Sequence, residues 1–194
     1  MTARAVEPTR REQILATAAD LFAARGFHGV SVVDLGAACG ISGPALYKHF
    51  ASKDAVLAEM LVSISQRLLE VGRERSLAAA DPVAAVRALV DWHVDFALRR
   101  RSLIVVQDRD WESLPPDARE QVRTLQRAYV DVWASELERL HRGLSPDRAR
   151  AMAHAAFGLI NSTPHSGRLP DDQMRDLLTG MARDALGVDR SHPR

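Results

Sequence analysis

The sequence predicts an all-α protein in which a small N-terminal helical domain precedes a larger helical domain. Apolar residues recur every three or four positions through most of the chain, which is the period of an amphipathic helix. Several of these stretches begin with a capping residue and a proline, as at Asp81-Pro82 and Ser145-Pro146. Only the run 103–106 is typical of a strand, and no second strand is predicted to pair with it.

Composition limits the functions that the chain can have. Its 194 residues, 46% of them hydrophobic, are enough for a packed core and one or two domains. The net charge is only +1, so binding to nucleic acid would require a local patch. The single cysteine, Cys39, excludes an internal disulfide. No signal peptide or membrane-spanning run is recognisable, so we expect a cytoplasmic protein without a membrane partner.

Nine helices are predicted from the positions of caps, glycines and apolar stripes. Their approximate ranges are 10–25, 31–38, 42–50, 52–77, 82–101, 102–110, 117–142, 146–162 and 170–187. The first three helices belong to a predicted domain at 1–53, and the others to a second domain at 54–187. Residues 188–194 are expected to form a disordered tail.

The stretch 31–53 predicts a helix-turn-helix. Ser31 can cap a first short helix, and Gly40 can turn the chain at positive φ. Ser42 and Pro44 then provide a second cap and a first-turn proline, and Leu46 points the second helix toward the core. Two short helices joined in this way can place the second one in the major groove of DNA.

This stretch resembles the DNA-binding domain of the tetracycline-repressor (TetR) family of bacterial regulators. The residues that carry the resemblance are Gly26, Phe27, Ser31, Val32, Leu35, Ala38, Gly40, Ile41, Ser42, Ala45, Leu46, Tyr47, Lys48, His49, Phe50, Ser52 and Lys53. The remaining two thirds of the chain are similar to the family only in helical layout. The resemblance implies a nine-helix TetR-like fold and a homodimeric transcriptional regulator. It favours a repressor that a small-molecule effector releases from a palindromic operator, with an activator or an effector-independent regulator as alternatives.

The resemblance also implies which residues meet double-stranded DNA. Tyr47 and His49 are expected to contact phosphates, and Lys48 is expected to reach a guanine edge. Further backbone donors and close base contacts are expected from Ser31, Ser42, Gly43, Pro44 and Lys53. We call the predicted DNA-binding domain, residues 1–53, the head. Two heads must lie about one turn of DNA apart, roughly 34–36 Å or a multiple of it, which requires a dimer.

The last two predicted helices are the expected dimer interface, because they carry apolar residues on more than one face. The family resemblance assigns the dimer contact to the same helices. The candidate residues are Ala155, Leu159, Met174, Leu177, Leu178 and Met181. The alternative is that these residues fill the core of a single protomer.

Aromatic residues collect in the middle helices, where the family resemblance implies an effector. Small-molecule pockets are mostly apolar with a few polar groups. The candidate lining residues are Trp92, His93, Phe96, Gln107, Trp111, Tyr129, Trp133, Phe157 and Asn161. The alternative is a filled aromatic core. An apolar pocket beside Arg99, Arg100 and Arg101 would suit an acyl-CoA, but these arginines can equally complement a helix C-terminus.

Enzymatic readings find little support in the sequence. No metal-ligand spacing, glycine-rich phosphate loop or serine nucleophile motif is recognisable, so we expect no catalytic residue, metal or cofactor. The rival from another class is a helical-bundle carrier or enzyme with a non-functional DNA-binding head.

Overall fold

The computed structural model describes residues 9–166 and 168–189, and every regular element in this part of the chain is helical. The helices are α1 (Arg10–Arg25), α2 (Val32–Ala38), α3 (Gly43–Leu46), α4 (Lys53–Ala78), α5 (Pro82–Arg99), α6 (Arg101–Asp110), α7 (Pro116–Leu140), α8 (Pro146–Ile160), α9 (Thr163–Ser166) and α10 (Asp171–Ala185). A 3₁₀ turn at Trp111–Ser113 joins α6 to α7. None of these helices combines the length and the hydropathy that a membrane span needs.

The all-α prediction is confirmed, and each of the nine predicted helices has a counterpart among the described residues. The one-turn helix α9 is additional. The second helix of the helix-turn-helix is shorter than expected, because α3 ends at Leu46 and not near Phe50. After α3, the N–H of Lys48 donates to the Ala45 carbonyl at 3.2 Å, and that of His49 to the Leu46 carbonyl at 2.9 Å. These tighter turns replace a regular α-helix.

The N-terminal helices enclose their own apolar core. Its largest buried members are Ile14, Phe22, Phe27, Leu35, Leu46, Phe50, Leu57 and Leu61. The side chains of Ser31 and Ser42 accept backbone N–H groups at the starts of α2 and α3, as predicted for caps. Gly36 lets α2 approach the following turn, because a Cβ there would lie 2.9 Å from the Ile41 carbonyl oxygen. The relative placement of α2 and α3 is therefore set by close packing.

A second apolar core lies between α4, α5, α7, α8 and α10. Trp133 of α7 is fully buried at its centre. Met174 and Leu178 of α10 are only 2% and 3% exposed. These two residues, which the sequence suggested for a dimer interface, therefore belong to the core of the protomer, because the inner stripe of α10 packs on α5 and α8.

Residues 188 and 189 are folded against the rest of the protein, which the sequence did not predict. Val188 packs in the second core and is 6% exposed, and the Asp189 carboxylate accepts a hydrogen bond from Arg87. The expected tail at 188–194 is therefore wrong for its first two residues, because the turn after α10 folds the chain back. The N–H of Val188 donates to the Arg183 carbonyl at 3.0 Å. The rest of the expected tail, 190–194, lies outside the described residues.

Candidate nucleic-acid interface and internal cavity

The helix-turn-helix presents one polar surface to solvent. Ser42, Pro44, Tyr47 and Lys48 are all exposed, and we call these four residues the reading surface. The Tyr47 side chain is 55% exposed and makes no hydrogen bond with a described residue. The Ser42 Oγ accepts the Ala45 N–H at 3.3 Å, which leaves its own proton available. Four of the predicted DNA contacts therefore share one accessible surface.

Two other predicted DNA contacts already have partners inside the protein. The Lys53 Nζ donates to the carbonyl oxygens of Phe27 and Val30, both at 2.8 Å, and lies 4.2 Å from the centre of the Phe27 ring. The Ser31 hydroxyl donates to the Asp34 carboxylate and accepts the Asp34 N–H at 3.1 Å. An ammonium has three protons, so Lys53 keeps one donor for a phosphate.

The last two predicted contacts, Gly43 and His49, are partly exposed. The backbone at His49 is fastened to the neighbouring helices by Arg11, which donates to the His49 carbonyl and pairs with Glu59 of α4. The Arg11 guanidinium also lies 4.2 Å from the centre of the Phe50 ring. Sequence reasoning missed this link because its partners are 38 and 48 residues away along the chain.

A cavity of about 220 Å³ lies between α4, α5, α6, α7 and α8. Six of the nine predicted effector residues line it: His93, Phe96, Gln107, Tyr129, Phe157 and Asn161. Asp108 and His154 add polar groups to the wall. The aliphatic part of the wall was not predicted and consists of Ile64, Leu68, Leu103, Ile104 and Val130. The apolar stripe of a helix has the same spacing whether it faces a core or a cavity, so the sequence carried no signal for them.

The three tryptophans that were predicted to line the effector pocket lie outside the cavity. Trp133 stands edge-on behind the cavity residue Phe157, with ring centres 4.9 Å apart and planes at 83°. Trp111 packs against the N-terminal core. Trp92 is partly exposed, and the Arg75 guanidinium lies 5.3 Å from the centre of its ring. Only Trp133 is therefore placed to sense what occupies the cavity.

A chain of hydrogen bonds crosses the cavity wall through His93, which is 3% exposed. Its Nε2 lies 3.2 Å from Asn161 Oδ1, an acceptor, so Nε2 carries the proton. Its Nδ1 is then free to accept the Tyr129 hydroxyl at 3.4 Å. Burial lowers the pKa of His93 to about 4 and raises the pKa of Tyr129, so both groups are neutral at pH 7. The Asn161 amide nitrogen remains as a donor that no described residue engages.

A wider cleft, of about 630 Å³, borders the cavity between α1, α4 and the start of α6. Ile64 and Leu103 line both spaces and separate them. Arg67 and Arg100 line the cleft and form no ion pair with a described residue, whereas the other two arginines in its wall are paired with carboxylates. Among the carboxylates of the cleft wall, only Glu70 lacks a described partner. The cleft therefore has two guanidiniums without a described carboxylate partner, in a wall that carries four arginines and four carboxylates in all.

Helix α6 borders the cavity on one side and the N-terminal domain on the other. Val106 is fully buried in the N-terminal core. Arg109 donates to carbonyl oxygens at the end of α1, at 3.1 Å in the case of Ala23. The buried carboxylate of Asp110 accepts the Phe27 N–H at 3.3 Å. We call Arg109 and Asp110 the α6 clasp, and it joins a cavity-lining helix directly to the head.

The remaining dimer candidates lie at the surface of α8 and α10, which pack against each other. Leu177 and Met181 are each 46% exposed. Ala155 is exposed and Leu159 is partly exposed. Four of the six predicted residues are therefore free to meet a partner.

Comparison with protein families identifies the chain. A model described as "Bacterial regulatory proteins, tetR family" matches residues 14–60. A model described as "Tetracyclin repressor-like, C-terminal domain" matches residues 79–186. Together the matches cover most of the chain, including the reading surface and all of the cavity wall except Ile64 and Leu68. The protein belongs to the TetR family of transcriptional regulators.

Individual relatives agree with this assignment. The chain is 28% identical over 160 residues to the "HTH-type transcriptional activator FasR" of Mycolicibacterium smegmatis, an alignment that spans 82% of this chain and 71% of FasR. A TetR-family regulator from Bordetella parapertussis superposes with a TM-score of 0.78 and 27% identity, covering 90% of this chain and 94% of that one. AibR, solved with isovaleryl coenzyme A and operator DNA, superposes with a TM-score of 0.73 and 25% identity, covering 89% and 97%. FasR and the Bordetella protein are named as transcriptional regulators, which is the class that the sequence predicted for this chain.

The burial of neutral His93 predicts a pH-dependent stability. The unfolded chain takes up a proton at this residue near the ordinary pKa of about 6.5, whereas the folded chain resists it until about pH 4. The free energy of unfolding should therefore fall as the pH is lowered from 6.5 toward 4. Between pH 7.5 and 5.0 the contribution of His93 should be about 2 kcal/mol, measured by urea unfolding.

His93→Gln should flatten this part of the pH profile by that amount, whatever it does to stability at pH 7.5. Leu77→Ala, at a residue of α4 that is 86% exposed and carries no titratable group, provides the control and should keep the wild-type slope. Equal slopes in the wild type and His93→Gln would show that the residue does not stay neutral in the folded state.

Proposed function

We propose that this protein is a homodimeric TetR-family repressor that binds a palindromic operator and releases it when a small-molecule effector fills the cavity. The observation that carries the proposal is the α6 clasp, which links the cavity wall to the head that bears the reading surface. Because the operator lies on bacterial DNA, we also propose that the protein works in the cytoplasm.

The proposed DNA contacts follow from the accessibility of the side chains. Tyr47 and Ser42 donate hydroxyl protons to phosphates, which set the register of the head on the duplex. Lys48 reads a guanine edge, and Pro44 approaches a thymine methyl group. The remaining contacts, mostly to the backbone, come from Ser31, Gly43, His49 and Lys53. Their contribution is smaller for Ser31 and Lys53, whose donors are largely engaged within the head.

We place the dimer contact on the exposed apolar surface of α8 and α10. Ala155, Leu159, Leu177 and Met181 would be removed from water there, which is the main driving force of association. Met174 and Leu178 support the same helices from inside the protomer. Two heads held in this way can meet successive half-sites about one helical turn apart, roughly 34–36 Å.

The cavity and the cleft together favour a ligand with an acyl group and an anionic part. At about 220 Å³ the cavity lies below the range of roughly 300–1,000 Å³ found for drug-sized ligands, so it suits a short acyl chain. The donor nitrogen of Asn161 can meet a carbonyl oxygen, and Arg67 and Arg100 of the adjoining cleft can bind phosphates. We therefore propose a short-chain acyl-CoA as the effector. The complex of AibR with isovaleryl coenzyme A supports this class.

We propose that two contacts transmit occupancy of the cavity to the head. The first contact is between Tyr129, which lines the cavity, and α4. A Cβ at Gly72 of α4 would lie 2.5 Å from the Tyr129 ring, so this ring packs directly on the α4 backbone. The second contact is the α6 clasp. A ligand that displaces Tyr129 or α6 would shift the population toward dimers whose heads no longer match the operator spacing.

The division of the chain near Lys53 stays a proposal that the two separate cores support. The first two turns of α4 belong to the N-terminal core through Val56, Leu57, Met60 and Leu61. The rest of α4 belongs to the C-terminal core. We infer that α4 is shared by the domains, which suits a lever between effector and head.

An activator is the second candidate, because the relative FasR is named as one. Both modes use the same reading surface and dimer. A reporter gene behind the operator distinguishes them, since deletion of the regulator raises expression under a repressor and lowers it under an activator.

Tyr47→Ala should weaken specific operator binding at least about tenfold, because each head loses a hydrogen bond to a charged phosphate. The measurement is a gel shift with an operator selected from random duplexes, together with circular dichroism to show that the fold is retained. Leu77→Ala is the matched control, since Leu77 is 86% exposed on α4 and lies outside the helix-turn-helix. Undiminished binding by a folded Tyr47→Ala variant would remove this residue from the interface.

Replacing both Leu177 and Met181 by Asp should convert the dimer to a monomer at micromolar concentration, because the contact would then bury unpaired charges. Light scattering coupled to size exclusion measures the mass directly. Leu77→Asp introduces an equally exposed charge elsewhere and should leave the dimer intact. A dimeric double variant would exclude this surface as the contact, and a monomeric wild type would contradict the dimer itself.

Isovaleryl-CoA should quench the fluorescence of Trp133 and lower the affinity of the protein for its operator. Replacing Arg67 and Arg100 together by Gln should weaken this binding at least about tenfold, because two charge-assisted hydrogen bonds to phosphate are lost. Arg142→Gln, at an exposed residue beyond the end of α7, is the control. Equal affinity of the double variant, or an unchanged operator affinity with bound isovaleryl-CoA, would contradict the proposed effector class.

A further inference from the structure

One exposed apolar side chain on the head has no role in the account above. Val33 lies in the first turn of α2 and is 71% exposed, although it is β-branched and apolar. Single exposed apolar residues are common on protein surfaces and need no explanation by themselves. The position of Val33 is what makes it informative.

Val33 borders the reading surface. A Cβ added to Gly43 would lie 4.0 Å from the Val33 Cγ2, so the side chain reaches across to the start of α3. Pro44, the next residue of α3, is also exposed and apolar. Val33 therefore extends the surface that faces DNA from α3 onto α2.

The side chain is also held in a defined direction. The capping box between Ser31 and Asp34 fixes the first turn of α2, in which Val33 is the second residue. A valine in a helix has one strongly preferred χ1 rotamer. Its methyl groups thus meet a partner with little loss of conformational freedom.

The chemistry of the side chain selects its partner on the duplex. Valine has no hydrogen-bonding group, so it can read neither a phosphate nor the donor and acceptor groups of guanine, cytosine and adenine. The C5-methyl group of thymine is the apolar feature of the major groove. We propose that Val33 is a specificity-determining residue that contacts one thymine methyl group in each half-site of the operator.

This inference rests on the proposed DNA-binding function and adds a base contact made from α2. The test uses the full-length protein and an operator selected from random duplexes. Each thymine of the half-site is replaced in turn by uracil, which removes only the methyl group. Removing one buried methyl-sized contact corresponds to about a fourfold weaker binding, and about fifteenfold when both half-sites are changed.

In the wild type, at least one uracil replacement per half-site should have this effect. Val33→Ala should abolish the effect at one position, whereas Val33→Ile, which keeps the methyl contact, should retain it. A thymine read by Pro44 should remain sensitive in Val33→Ala and serves as an internal control. Leu77→Ala should behave as the wild type, and thermal unfolding should show that all variants are folded.

The outcomes separate this inference from the function on which it rests. If no palindrome is selected, the proposed DNA-binding function fails. If a palindrome is selected and Val33→Ala retains every uracil sensitivity of the wild type, only the role of Val33 is overturned. Loss of sensitivity at one thymine, with the others retained, establishes the contact.

Discussion

The structure depends on the double contact that α6 makes. One side of this helix closes the cavity, and the other packs Val106 into the N-terminal core and docks the α6 clasp on the end of α1. The buried Asp110 carboxylate is paired with Arg109 at 3.1 Å and also accepts the Phe27 N–H. Separating the N-terminal domain from α6 would break this hydrogen bond and those that Arg109 donates to the end of α1. This contact joins the N-terminal domain to the helix that closes the cavity, and it is the basis of the proposed link between an effector and the reading surface.

Two cations of the DNA-binding head are engaged in contacts within the protein. Lys53 donates two of its three ammonium protons to carbonyl groups of the loop before α2. Arg11 donates to the His49 carbonyl after α3 and forms an ion pair with Glu59 of α4. These cations fix the orientation of the exposed residues instead of simply attracting the duplex. Such preorganisation suits a chain whose net charge is only +1, since specific contacts must then replace a strong general attraction.

The candidate sites could be predicted only in part from the sequence. Six of the nine residues predicted to meet an effector do line the cavity, because aromatic and polar residues of α5, α6, α7 and α8 converge there. The residues predicted for the dimer interface on α10 lie in two environments, the core of the protomer and its surface. Met174 and Leu178 are four residues apart and form the inner stripe of α10, whereas Leu177 and Met181 form the stripe beside it. Hydrophobicity alone cannot tell these stripes apart, because the neighbour that covers each one is distant in sequence.

The sequence by itself determined the all-α class, the helix starts and the helix-turn-helix, because caps, first-turn prolines, turn glycines and the 3.6-residue period act over a few neighbouring residues. Only the tertiary structure decided the short α3, the packing of Val188 into the core and the meeting of cavity and cleft at Ile64 and Leu103. It also decided which cations are available, since the partners of Arg109 at the end of α1 are more than 80 residues away along the chain. Local patterns specify elements, whereas burial, charge pairing and cavities arise from the way in which distant elements share their surfaces.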